Sequence, residues 1–390
     1  MKASYEGLDL AGRRVLVRED LNVPLQDGVI GDDGRIRAAL PTLRDLVRRR
    51  ARVIVVSHLG RPRGRPQPGL SLRPVATRLG ELMGRTVAFA EDCVGETAAA
   101  AAGRLDEGEV LLLENVRFHP GEEANDREFA RRLASLAQVF VNDAFAASHR
   151  AHASVVGVAG FLPAYAGRLM LAELEALHRA LDAPRRPLVA VVGGAKVSTK
   201  AGVLRHLLPR VDALLVGGAM ANTFFKARGL EVGASLVEDE ALEVARQVEA
   251  EGGDRLVLPL DAVCARRMRA GEETRVQEVG GVEPGWMMLD VGPRTVAAFA
   301  RRLQGAGTVV WNGPVGVFEI PEFSAGTKAL GEAIAASGAY SLLGGGDTAA
   351  AVRLLGLEGR FSHVSTGGGA TLEYLEGKEL PGLAVLREAT

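Results

Sequence analysis

Short runs of Val, Ile, Leu and Ala, apolar at consecutive positions, recur along the whole chain and alternate with helix-length segments. A strand that is apolar on both faces must be covered on both faces, which is the condition of a parallel sheet flanked by helices. Strands are expected at 14–17, 53–57, 87–90, 110–113 and 139–142. The second half adds 188–192, 213–216, 256–258, 287–290, 309–312, 340–343 and 363–365. Segments 38–49, 126–136, 238–249 and 295–303 read as helices between them. Strand, helix, strand, repeated throughout, makes the chain α/β.

The 390 residues predict two domains at roughly 100–200 residues each. One segment breaks the rhythm. Residues 166–181 carry Leu169, Leu174, Leu177 and Leu181 at helical spacing, and Pro184 and Pro187 stop the pattern. It reads as a helix joining a domain at 1–170 to a second at 171–370. The fold class expected is two doubly wound, Rossmann-like parallel sheets joined by a helix, with a cleft between them. Two cysteines, Cys93 and Cys264, make no disulfide framework and point to a reducing compartment. The N-terminal stretch has no apolar core of a secretory signal, and no apolar run approaches the ~20 residues of a membrane helix. A net charge of −1 gives no global pull toward nucleic acid or membrane.

Glycine is in excess, at 48 against about 27 expected from a usual ~7%, and its placement matters more than its number. The run 188–192 enters Gly193-Gly194-Ala195-Lys196-Val197-Ser198-Thr199-Lys200, and 213–216 enters Gly217-Gly218. The run 340–343 enters Gly344-Gly345-Gly346-Asp347-Thr348, and 363–365 enters Thr366-Gly367-Gly368-Gly369. Glycine lets backbone approach a ligand closely, and helix N-termini favour phosphate. In an open α/β sheet such loops lie together at the carboxyl edge of the strands. One such loop alone is equally a tight turn; four on one edge indicate a phosphate-bearing ligand. Neither GxxxxGK[ST] nor GxGxxG occurs at these strand ends.

Only 6 of the 47 basic residues are lysine, and Lys196 and Lys200 stand four apart after a buried strand. They read as phosphate contacts on one face of a first helical turn, against the alternative of a solvated pair. Asp347 reads either as a helix cap or as a magnesium ligand, since one carboxylate plus phosphate oxygens is a usual magnesium arrangement. The first half places basic residues after strands: Arg18 with Asp20 and Asn22, His58 and Arg61, Arg117, and His149-Arg150-Ala151-His152, with Arg35 just before the helix at 38. Guanidinium forks match carboxylate and phosphate oxygens. Residues 1–170 carry a balance of +3 and the remainder −4, which favours an anionic ligand on the N-terminal side.

At these residues the chain resembles the phosphoglycerate kinase family. The tracts are 14–25 (RVLVREDLNVPL), 35–42 (RIRAALPT), 57–62 (SHLGRP), 112–125 (LLENVRFHPGEEAN), 140–154 (FVNDAFAASHRAHAS), 192–200 (VGGAKVSTK), 216–224 (VGGAMANTF), 311–319 (WNGPVGVFE), 343–348 (LGGGDT) and 365–380. They stand in the family's order over essentially the whole chain. Departures are mild: Glu19 and Leu21 stand where the family commonly has Val and Phe, Thr199 where Asp is usual, and Ala146-Ala147-Ser148 where Gly-Thr-Ala is usual. Glu19 puts an extra negative charge near the basic site.

The resemblance implies reversible transfer of a phosphoryl group from 1,3-bisphosphoglycerate to ADP, giving 3-phosphoglycerate and ATP, in line after domain closure. It implies Mg2+ with the nucleotide, a cytoplasmic location, a monomer, and a C-terminal peptide 371–390 returning to the first domain. Carried over residue by residue, Asp20, Asn22, Arg35, His58, Arg61, Arg117 and Arg150 would hold the phosphoglycerate. Lys196, Lys200, Gly218, Asn312, Pro314, Gly345, Gly346, Asp347 and Thr348 would hold the nucleotide phosphates, with Glu319 on the ribose and Asp347 on the metal. Arg35, Lys200, Gly345 and Gly368 would serve the transferring group. Two rival readings are an NAD-dependent dehydrogenase, which lacks its fingerprint here, and a phosphosugar-binding protein without catalysis, which predicts loss of Arg35, Lys200 or Asp347.

Overall fold

The structure is a computed structural model of the chain, in which residues 2–389 are described. The chain forms two compact units. Unit 1 holds the chain up to Leu174 and again from Glu379; unit 2 holds Glu175–Lys378.

Unit 1 is built on a six-stranded parallel sheet of β1 (Arg14–Arg18), β2 (Arg52–Val56), β3 (Ala88–Ala90), β4 (Val110–Leu113), β5 (Val139–Asn142) and β6 (Ala164–Ala166), in the order β3-β4-β2-β1-β5-β6. β1 is central, with Val15 opposite Val53 on one side and Val139 on the other. Its Val15, Leu16 and Val17 are fully buried, as two covered faces require. The helix α1 (Gly34–Arg48) lays Ile36, Leu40, Leu43 and Leu46 into the core formed with Val15, Val17, Val53 and Val55. This helix starts earlier than its apolar spacing indicates. Asp32 Oδ1 accepts from Gly34 N at 2.8 Å, and Arg37 N already bonds Asp33 O at 3.0 Å, so Arg35 lies in the first turn and not before it. The edge strand β6 is short and went unread from the sequence.

The helix α2 (Arg168–Leu181) occupies the segment expected to join the domains, and the chain passes from one unit to the other inside it. The C-terminal return begins at Glu379, later than position 371, because 371–378 stay with unit 2. In unit 1, Gly382 N bonds Ser148 O at 2.8 Å and Arg387 N bonds Ala164 O at 3.1 Å.

Unit 2 contains a second six-stranded parallel sheet. Its strands are β7 (Leu188–Val192), β8 (Ala213–Val216), β9 (Leu256–Val257), β13 (Thr308–Asn312), β14 (Tyr340–Gly344) and β15 (His363–Val364), in the order β9-β8-β7-β13-β14-β15. Between β9 and β13 the chain inserts β10 (Asp261–Ala265), β11 (Thr274–Glu278) and β12 (Met287–Val291), an antiparallel sheet of order β11-β10-β12. The strand expected at 287–290 thus exists but lies in this sheet and not in the parallel one. Its apolar run looks the same in either setting, because periodicity reports burial and not strand direction. Among the described residues no helix is long and apolar enough to cross a membrane.

Candidate active site

In unit 1 the chemistry-bearing side chains gather at the carboxyl ends of β1, β2, β4 and β5. β1 delivers Arg18, buried to 1% exposure. Its Nε donates to Ser154 Oγ at 2.9 Å, and its Nη2 lies 3.0 Å from His58 Nδ1, just past β2. Arg117, past β4, is buried; its Nη1 donates to Gly60 O at 2.7 Å and its Nε lies 3.3 Å from Glu123 Oε1. Arg150, past β5, is half-buried and donates through Nε to His149 Nε2 at 3.1 Å. Asn22 Oδ1 accepts from Gly60 N at 2.9 Å and ties the two loops. Arg35 pairs with Asp20, the guanidinium 39% and the carboxylate 10% exposed. Arg61 is exposed.

Electrostatics shows that these groups converge. Burial holds His58 well below the usual imidazole range, and the charges of Arg18, Arg117, Arg35 and Arg150 push it the same way. His152 is lowered to about 4 by burial and by Arg117, Arg150, Arg18 and His149. Both rings are therefore neutral at physiological pH, and the charge of the site is carried by guanidinium groups. One buried acid, Glu122, accepts from Ser154 N at 2.9 Å and Ser154 Oγ at 2.6 Å; its burial raises its pKa. The result is a half-open, cation-lined site suited to an anion with several oxygens.

Glu19 points away from this role. It is fully buried, and neither carboxylate oxygen has a hydrogen-bond partner among the described residues. Burial raises its pKa well above the usual carboxyl range, and Asp143 raises it further. Asp143, also fully buried, is raised to about 6 and accepts from Met170 N at 2.9 Å. Burial thus disfavours the charged form of Glu19 beside the basic site.

Unit 2 offers backbone where unit 1 offers side chains. Gly193 runs so close to the loop after β13 that a Cβ there would stand 2.0 Å from Pro314 O and 2.6 Å from Gly313 O. Gly218 sits at φ +73, and a Cβ on it would meet Gly194 O at 2.6 Å. Only glycine permits both the conformation and the approach. Residues 197–200 form a turn, with Lys200 N on Val197 O at 2.9 Å, and α3 (Ala201–Leu207) starts only after Lys200. The lysines therefore do not share a helical face. Lys196 is exposed, whereas Lys200 turns inward, its Nζ on Asn312 Oδ1. Burial lowers the Lys200 pKa, with Asp347 and Glu376 opposing.

The side chains of Asn312 and Thr348 also tie the loops together. Asn312 Nδ2 donates to Gly344 O at 2.9 Å. The buried Thr348 hydroxyl accepts from Gly313 N and donates to Gly344 O, both at 2.7 Å. Gly345, at φ +97, opens α4 (Gly346–Leu354), whose first turn presents Gly346 and the exposed Asp347. Gly368, at φ +51, opens α5 (Gly369–Leu375).

A cavity of about 490 Å³ lies against these loops, bordered by Gly194, Ala195, Gly218, Ala219, Pro314, Glu319 and Asp347. Its other wall is apolar: Leu236, Met268, Met287, Leu289 and Phe318. Sequence reasoning missed this wall: Met268, Met287 and Leu289 come from the antiparallel insertion and carry no motif, and Leu236 and Phe318 join them only through packing. Arg18 and His152 were visible as strand-end basic residues, but only the packing places them within the site.

The comparisons with known proteins agree with this geometry. The family model described as phosphoglycerate kinase matches residues 5–378. The phosphoglycerate kinase of Pelotomaculum thermopropionicum is 53% identical over 99% of both chains. That of Frankia alni is 56% identical over 98% of this chain and 99% of its own. Among solved structures, phosphoglycerate kinase from Coxiella burnetii superposes with a TM-score of 0.92 at 46% identity, covering 99% of this chain and 98% of its own. The Pyrococcus horikoshii enzyme gives 0.86 at 33%, covering 98% of each. With a family model spanning nearly its full length and relatives more than 50% identical over nearly all of it, the chain belongs to the phosphoglycerate kinase family of phosphotransferases with a carboxyl group as acceptor.

Proposed function

We propose that unit 1 holds the three-carbon acid and unit 2 the nucleotide. The reaction of the family is the reversible transfer of a phosphoryl group from 1,3-bisphosphoglycerate to ADP, a step of glycolysis. In this reading Asp20, Asn22, His58, Arg61, Arg117 and Arg150 bind 3-phosphoglycerate, with Arg18 and His152 lining the same site. Lys196, Lys200, Gly218 and the loop Gly345–Thr348 receive the nucleotide phosphates, Asn312 and Pro314 shape that loop cluster, and Glu319 takes the ribose. The domain roles follow: residues 1–170 bind the acid and 171–370 the nucleotide. The observation that supports the reading is the buried Arg18 against His58, with Arg117 and Arg150 at neighbouring strand ends of unit 1. Such a site has no use for a neutral ligand and matches carboxylate and phosphate oxygens.

Phosphoryl transfer asks the protein for alignment and for positive charge on the equatorial oxygens, not for a covalent intermediate. The attacking ADP oxygen is already ionised, so no general base is needed. Arg35, partly exposed and held by Asp20, supplies one cation. Lys200 supplies a second, and an incoming phosphate favours its charged form against the burial that lowers its pKa. The amides at Gly345 and Gly368, each opening a helix, add backbone donors. Asp347 suits a magnesium ion: its carboxylate is exposed, borders the cavity, and lies at the first turn of α4. Mg2+ held there with phosphate oxygens would neutralise charge on the nucleotide. The same reading makes the protein a cytoplasmic monomer that needs neither nucleic acid nor membrane.

The test is a coupled assay of ATP formation from 1,3-bisphosphoglycerate and ADP, run with and without Mg2+. Turnover is expected only with magnesium. Calorimetry on Arg150→Ala separates the two sites: 3-phosphoglycerate affinity should fall at least about tenfold with ADP affinity unchanged. Equal weakening of both ligands would sink the division of labour.

A further inference from the structure

Away from both sites, three different donor side chains meet at one edge of unit 1. The loop after β3 supplies Asp92 and Cys93, and the turn after β4 supplies His119. We propose that Asp92, Cys93 and His119 bind one borderline-soft divalent cation of the zinc class, with water in the fourth position. Their donor atoms all lie within 4.8 Å of one another. Tetrahedral ligands about 2.0–2.3 Å from an ion stand roughly 3.3–3.8 Å apart, so small side-chain rotations complete the site.

The donor set defines the cation. A thiolate and an imidazole favour zinc, cobalt or cadmium, whereas magnesium takes oxygen ligands and keeps its water. The site is therefore chemically distinct from the magnesium of the nucleotide. It is also held in place. Asp92 Oδ1 accepts from Cys93 N at 2.7 Å and from His119 Nε2 at 2.7 Å. The His119 ring lies 5.2 Å from that of Phe129. Cys93 is buried, while the His119 and Asp92 side chains are 30% and 42% exposed, which leaves a side open to solvent.

A bound cation would stabilise the Cys93 thiolate. On binding, the Cys93 thiol proton leaves to solvent and the imidazole proton shifts to Nδ1, so Nε2 faces the metal. The ion would tie the loop after β3 to the turn that carries Arg117, linking a site on the outer edge of the sheet to a residue of the anion site.

The experiment is titration of the chelator-treated full chain with Co2+ alone, followed by thiolate-to-cobalt absorption. One equivalent is expected to produce the band, and Zn2+ to displace it. Cys93→Ser should abolish the band and Cys264→Ser should leave it. His119→Gln, which spares the buried thiol, should weaken cobalt affinity at least about tenfold. That variant decides the matter even if Cys93→Ser fails to fold. A wild-type chain without a thiolate band, a band lost in Cys264→Ser, or unchanged affinity in His119→Gln would overturn the site.

Discussion

In the proposed division of labour the two units recognise oxygen-rich anions in opposite ways. Unit 1 uses buried or half-buried side chains, Arg18, Arg117 and Arg150 with neutral His58, each fixed by a specific partner. Unit 2 uses glycine loops packed so tightly that Gly193 and Gly218 have no space for a Cβ. Side-chain cations give strength and ligand shape at the cost of burying charge, which neighbouring acids and hydrogen bonds must offset. Backbone amides carry no titratable charge, so a site built from them tolerates changes of charge and fails on changes of volume. The difference teaches that the first site should be sensitive to what a residue is, and the second to whether a residue has a side chain at all.

The largest expected effect tests the first half of that contrast. Arg35→Ala should lower kcat by roughly 10²–10³, or about 2.7–4 kcal/mol, with a smaller change in ADP affinity. Arg35→Lys should recover only part, because a point charge does not reproduce the planar fork. Steady-state kinetics with both substrates varied measures it, and near wild-type turnover in Arg35→Ala would leave the residue with only its Asp20 pairing.

Next comes the volume test of unit 2. Gly193→Ala adds one methyl group against Pro314 O and should cost about 3 kcal/mol, read as lost stability or lost ADP affinity. The charge-removing Lys196→Ala, at an exposed position, should cost far less. If the lysine change were the more damaging, the backbone account of unit 2 would be wrong.

Asp347→Ala sharpens the comparison by removing the carboxylate that borders the unit 2 cavity. The magnesium concentration for half-maximal activity should rise at least about tenfold, with 3-phosphoglycerate affinity unchanged. An unaltered magnesium dependence would reduce Asp347 to the first turn of its helix.

The smallest effect concerns Glu19 and Asp143. Both carboxyl pKa values are raised in the folded state, so the folded chain binds more protons than the unfolded one above the ordinary carboxyl range. Stability from this pair is thus full at low pH and falls as pH rises through about 6 and beyond. Glu19→Gln keeps the size of the side chain without the titration. Relative to wild type it should gain on the order of 1 kcal/mol between pH 5 and pH 8 in urea unfolding followed by circular dichroism. A difference that does not change with pH would mean that folding does not raise the Glu19 pKa.

Much of this was legible beforehand because it is local. A strand covered on both faces must be apolar at consecutive positions, so 188–192, 213–216 and 139–142 announce themselves. A loop that starts a helix at a sheet edge must admit close backbone approach, so the glycines after β7, β8 and β14 do too. The resemblance rests on the same tracts. What escaped was set by neighbours distant in sequence. That Thr348 and Asn312 both reach Gly344 O is visible only once the loops pack. Glu19 looks like a charge on the basic site until β1 and β5 lie side by side and present it to Asp143.

Strand identity, helix placement and the glycine hinges of the loops are thus the sequence's own doing, since each depends on residues within one or two turns of chain. Strand order is not local: β1 becomes central only because β2 and β5 flank it. That order brings Arg18, His58 and Arg150 to one point, sets Asp92 and Cys93 beside His119, and folds the insertion of β10 to β12 into an apolar wall. Those three outcomes belong to the tertiary structure, because the distance between two side chains is fixed by which strands pair and not by the spacing of their letters.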